Sequence, residues 1–148
     1  MKSIVPDYHI HSCFSGDCDT EINRIIETAM LKGLYSLCFT DHNDLNFPET
    51  PDNVEFNLDI DTYIKTIYNL RSALLDISEK PNDLSDISEP QNTLSGNIDI
   101  RIGVEQGVMP TTCAVLNTYS KENPGLDFII CSSHVVDGFD PYYPEVME

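Results

Sequence analysis

All four histidines of the chain stand at the ends of short, largely apolar runs that read as β-strands. His9 and His11 close the run that begins at Lys2, His42 follows Leu37-Cys38-Phe39-Thr40, and His134 follows Phe128-Ile129-Ile130-Cys131-Ser132-Ser133. Glu105 ends one more run, Ile100-Arg101-Ile102-Gly103-Val104. A parallel α/β sheet or barrel places the C-terminal ends of its strands together on one face, and that face is where such folds build their sites. The arrangement is hard to reach by accident.

The segments between these runs carry the helices such a fold needs. Ile22, Ile25, Ile26, Ala29 and Met30 recur at helical spacing. Asp19 or Thr20 stands ready as a cap, Glu21 lies in the first turn, Lys32 in the last, and Gly33 stops the helix. Asp59 or Asp61 caps a second helix with Tyr63, Ile64, Ile67, Arg71 and Leu74 down one side. Pro110 or Thr111 begins a third, which ends before the turn-forming Asn123-Pro124-Gly125. Strands are expected at residues 2–11, 34–40, 98–105 and 128–133, the second almost continuously apolar, as suits a strand covered on both faces. The order is βαβαβαβ, and right-handed crossovers put the four strands in one parallel sheet with helices outside. Residues 43–57, with Pro48 and Pro51, read as a long loop at the mouth of the site.

Residues two apart on a strand share a face, so His9 and His11 point the same way, with Asp7, while Tyr8 and Ile10 point the other. Neutral imidazoles suit divalent transition metals, and Asp17, just beyond on a Ser-Gly turn, offers a hard oxygen ligand to the same ion. Two half-buried histidines bonded to backbone would leave the same pattern. Asp7 is either an acceptor that fixes an imidazole tautomer or a plain inward-facing polar residue. Asp99, Arg101, Gly103 and Glu105 share one face of their run and Ile98, Ile100, Ile102 and Val104 the other, which brings Glu105 to the mouth beside the histidines. Ser132 and Ser133 adjoin His134, but no G-x-S-x-G elbow surrounds them, so they are not read as a nucleophile.

Tyr8-His9-Ile10-His11-Ser12, Phe39-Thr40-Asp41-His42, Gly103-Val104-Glu105 and Ser132-Ser133-His134-Val135-Val136-Asp137-Gly138 resemble, in order, the motifs of the PHP (polymerase and histidinol phosphatase) superfamily. The last, continuing into Asp140-Pro141-Tyr142-Tyr143, looks most like the histidinol-phosphate phosphatase branch. The resemblance implies a distorted seven-stranded, TIM-like β/α barrel, of which residues 1–148 correspond to the first half. It also implies a site of three divalent metals, zinc, manganese or iron. Position by position, His9 and His11 match ligands of one metal, Glu105 a carboxylate bridging two, His134 a ligand of the second, and Asp17 with His42 ligands of the third. One further histidine and an Asp-x-His pair of the family have no counterpart. The implied reaction is hydrolysis of L-histidinol phosphate to L-histidinol and phosphate in histidine biosynthesis, with no catalytic residue beyond the metal ligands. Alternatives are a phosphoesterase for another small phosphate ester, or an inactive truncated remnant. A C-terminal half or self-association would then complete the barrel.

Charge narrows the partners. With 8 basic and 25 acidic residues the net charge is −17, which repels a phosphate backbone, so nucleic acid is not an expected partner. A small phosphate ester meets the same repulsion unless bound cations invert the local potential, as a cluster of divalent metals does. No apolar run of about 18 residues and no basic-then-apolar leader occurs, so neither membrane nor secretion is expected and the cytoplasm is the default. Five cysteines without a Cys-x-x-Cys pair argue against a disulfide framework, and Cys38 and Cys131 read as small core residues. Residues 76–97 hold a short tandem repeat, Asp76-Ile77-Ser78-Glu79 returning as Asp86-Ile87-Ser88-Glu89. That polar insertion is expected to carry no chemistry.

Overall fold

The computed structural model describes residues 5–78 and 98–143. Its elements are β1 (Asp7–Ile10), α1 (Ile22–Lys32), β2 (Ser36–Phe39), β3 (His42–Asn43), α2 (Ile60–Ser78), β4 (Asp99–Gly107), α3 (Cys113–Glu122) and β5 (Phe128–Ser132). Every strand pairing is parallel. β1 pairs with β2, and β2 and β3 lie end to end along one edge of β4 in a single register, from Ser36 opposite Asp99 to Asn43 opposite Gln106. β5 takes the other edge, Glu105 lying opposite Ile130. The strands therefore succeed one another across the sheet in chain order without a reversal. Such single winding curls into an arc of a β/α barrel, whereas a doubly wound sheet reverses its order midway.

The core lies between this sheet and its helices. Leu37 and Phe39 of β2 and Ile100, Ile102 and Val104 of β4 pack with Ile22, Ile26 and Ala29 of α1 and Tyr63 and Ile67 of α2. On β4 the expected alternation appears: Asp99 and Arg101 are exposed, Ile100 and Ile102 buried. Gly33 ends α1 in the left-handed region at φ 77°, and its N–H and that of Leu34 close on Met30 O and Ala29 O. Asp59 caps α2 by accepting from Thr62 N at 3.2 Å and Thr62 Oγ1 at 2.8 Å. α1 is capped by neither Asp19 nor Thr20; Glu21 holds that position without a side-chain bond. Asp76, Ile77 and Ser78, grouped in sequence with the polar insertion, are the last residues of α2. The rest of the insertion lies outside the described residues.

Two local expectations are corrected. The register of β1 on β2 shifts between Asp7 and Ile10, so strict alternation fails there. Ile10 packs on the core, while Tyr8 bonds Ser36 Oγ through its hydroxyl at 3.1 Å and meets the Phe128 ring edge-on. Cys38 is fully buried as expected, but Cys131 is exposed, because β5 has a neighbour on only one edge among the described residues. The five cysteines are unpaired. Among the described residues no helix is long and apolar enough to cross a membrane.

Gly103 sets how closely β4 approaches its neighbours. A Cβ there would lie 2.7 Å from Cys38 Sγ and 3.0 Å from both Phe128 O and Phe39 O. Two of those atoms are backbone and cannot turn aside. Gly103→Ala is expected to cost about 1–3 kcal/mol through overpacking. An unchanged urea midpoint would contradict the tight strand approach.

Candidate metal centre

Glu105 is the hub of the site. It sits on β4 between β3 and β5, is 4% exposed, and presents its two oxygens to opposite sides. Oε2 lies 2.9 Å from His9 Nε2 and 2.9 Å from His11 Nε2. Oε1 lies 3.0 Å from His134 Nε2 and accepts from Ser132 Oγ at 2.6 Å. Ser132 therefore holds the carboxylate and is not paired to His134. His42 Nδ1 approaches Oε2 to 3.7 Å. Asp17 closes the outer side, its Oδ2 3.0 Å from His11 Nδ1 and 3.5 Å from His42 Nε2.

Local folding delivers these side chains. His11 lies one residue past β1, and Ser12 after it donates N–H and Oγ–H to Asp41 Oδ1 at 2.6 and 3.0 Å. Asp41 is fully buried and precedes His42, so this bond ties the loop of His11 to that of His42. His42 N–H in turn donates to Ser15 Oγ at 2.8 Å. β3 places His42 directly opposite Glu105. Asn43, next along, donates to Gln106 Oε1 at 2.8 Å and Tyr119 Oη at 2.9 Å, fastening the turn to β4 and α3. Asp7 accepts from the His9 backbone N–H at 3.2 Å, not from an imidazole.

The six residues singled out in the sequence, His9, His11, Asp17, His42, Glu105 and His134, thus come together. They form three overlapping groups, His9–His11–Glu105, His11–Asp17–His42 and His42–Glu105–His134, each with one ligand atom per residue and all those atoms within 4.8 Å of one another. Asp44 was not among the residues the sequence singled out. It is buried, 2.7 Å from His134 Nδ1, and its only signal is an acid two residues beyond His42 in a stretch that reads as loop.

The electrostatics fit a cation. Burial opposes ionisation of Glu105, but the hydrogen bonds from Ser132 and His9 and the charges of His42 and His134 outweigh it and bring the carboxyl down to about 2. His42 and His134 both face Glu105 and shift oppositely. Burial pushes His42 down, whereas the bond to Asp44 raises His134. His42 Nδ1 is buried with no hydrogen-bond partner, and so is Asp44 Oδ1. Imidazole nitrogens around a carboxylate form the mixed nitrogen and oxygen set that zinc, manganese or iron accepts. A cavity of about 740 Å³ opens on Asp17, His42 and His134, walled by Phe47, Phe56, Tyr142 and Tyr143.

The PHP domain family matches residues 7–148. A histidinol-phosphatase of Lactococcus lactis subsp. lactis is 29% identical over 154 residues, taking in 100% of this chain and 47% of that protein. A probable histidinol-phosphatase of Clostridium acetobutylicum is 27% identical over 139 residues, 94% of this chain and 43% of its own. The crystal structure of the Lactococcus histidinol phosphate phosphatase, complexed with zinc, L-histidinol and phosphate, matches with a TM-score of 0.69 at 27% identity. That match covers 91% of this chain and 42% of the other. The chain spans less than half the length of these relatives. With the family matched over nearly all its residues, the chain belongs to the PHP domain family, on its histidinol-phosphatase branch.

Proposed function

We propose that the chain contributes to a metal-dependent phosphatase that hydrolyses L-histidinol phosphate to L-histidinol and phosphate. The observation that carries the reading is the convergence of His9, His11 and His134 on the two oxygens of Glu105. His9, His11 and Glu105 would hold one divalent ion, His42, Glu105 and His134 a second, and His11, Asp17 and His42 a third. Such ions, when bound, lower the pKa of a coordinated water toward 7 and neutralise phosphate charge. Glu105 holds its negative charge among His9, His11 and His134, and Ser132 keeps that carboxylate from turning. Among the described residues, the cavity beside His42 and His134 has no lysine or arginine in its lining. In that lining, phosphate neutralisation falls to the ions.

The test is phosphate release from L-histidinol phosphate and a panel of other phosphate monoesters, with zinc, manganese or iron added. The chain is assayed alone and as a chimera carrying the remaining residues of the Lactococcus relative. Preferred release from L-histidinol phosphate by the chimera, abolished by His9→Ala, is the expected result. Equal rates on all esters would overturn the substrate, and release that survives His9→Ala would overturn the site.

A further inference from the structure

Asp44 belongs to none of the three ligand groups, yet the fold houses it closely. It is 3% exposed and reaches His134 from the side away from Glu105, Oδ2 lying 2.7 Å from Nδ1. Its N–H donates to Phe56 O at 2.8 Å, which fixes the backbone. Gly107 makes room for the carboxylate, since a Cβ there would collide with Asp44 Oδ1 and Cγ. An ionised carboxylate out of water costs several kcal/mol unless partnered. Asp44 Oδ1 has no hydrogen-bond partner, and the hydrogen bond of Oδ2 is to His134, with His42 Nδ1 farther off at 3.7 Å.

An imidazole whose Nδ1–H is held by a carboxylate leaves Nε2 as the atom that a metal ion can take in place of a proton, and His134 Nε2 is the ring nitrogen that faces Glu105, 3.0 Å from Oε1. The geometry points to Asp44 as a positioning residue that holds His134 with Nδ1 protonated and turns Nε2 toward the ion shared with His42 and Glu105. The inference rests on the metal-centre reading above. Asp44 acts through His134 and touches no reacting atom. Loss of an outer partner of this kind costs about 10–100-fold in metal affinity.

The experiment measures zinc affinity by chelator competition, and the cobalt absorption spectrum, for the chain and for Asp44→Ala, Asp44→Asn, Gly107→Ala, His134→Ala and the double variant Asp44→Ala/His134→Ala. Circular dichroism checks that each is folded. Asp44→Ala is expected to weaken one site about 10–100-fold, and Gly107→Ala to match it by expelling the carboxylate. Asp44→Asn should lose less, because its amide oxygen still accepts from Nδ1–H. The double variant should bind no worse than His134→Ala. Wild-type affinity in Asp44→Ala while His134→Ala loses the site would overturn the inference and leave the metal centre standing. Multiplying losses in the double variant would also overturn it, since Asp44 would then act apart from His134. Wild-type affinity in His134→Ala would overturn both. Should Asp44→Ala fail to fold, Asp44→Asn and Gly107→Ala carry the same comparisons.

Discussion

Glu105→Gln is expected to empty the site of metal far more thoroughly than Asp17→Asn. Glu105 belongs to two of the three ligand groups and Asp17 to one. Glutamine keeps the shape but removes the charge that three imidazoles surround, leaving two ions under-neutralised. The loss should exceed the roughly 10–100-fold typical of an outer partner, while Asp17→Asn should release one ion and spare the others. Metal content after equilibrium dialysis, measured on both variants side by side, decides the matter. Equal losses, or a greater loss for Asp17→Asn, would refute the central place of Glu105.

Tyr63→Ala should be the most damaging single change to the fold. The ring is fully buried in the core and meets Phe14 edge-on at 5.3 Å. Its hydroxyl donates to Gly103 O at 2.9 Å, beneath the strand that carries Glu105. Truncating a large buried aromatic costs about 3–5 kcal/mol through lost burial and the cavity left behind. Tyr63→Phe removes only the hydroxyl and should cost about 1 kcal/mol. Urea unfolding of the two variants separates packing from hydrogen bonding. A phenylalanine variant as unstable as the alanine variant would show that the hydroxyl, not the ring, dominates.

Features set by period and by position in the chain were legible in the sequence. The alternation of Ile100, Ile102 and Val104 against Asp99 and Arg101 foretells which side of β4 is core, and helical spacing foretells Ile22, Ile26 and Ala29 under α1. Strand-end placement was enough to collect His9, His11, His42, Glu105 and His134, because parallel strands deliver their C-terminal ends to one face, while Asp17 was read from the turn beyond the first strand. The features that stayed hidden depend on contacts between distant segments. The register shift in β1 arises from its pairing with β2 and leaves no mark in the spacing of Tyr8, His9 and Ile10. β3 is two residues long, too short for any period to register, and exists because β4 offers Glu105 and Gln106 as partners. Asp44 looks like one more acid in a polar loop. Its importance comes from His134, ninety positions away in the chain, and from the space left by Gly107. Cys131 fails the opposite test, since an apolar run predicts a strand but not whether both its edges are covered.

The most direct measurement is anomalous diffraction at the zinc edge from crystals of the chain grown with zinc. Ions should appear about 2.0–2.2 Å from Glu105 oxygens, one beside His9 and His11 and another beside His42 and His134. Zinc found only at other sites, with Glu105 still hydrogen-bonded to His9, His11 and His134, would contradict the account.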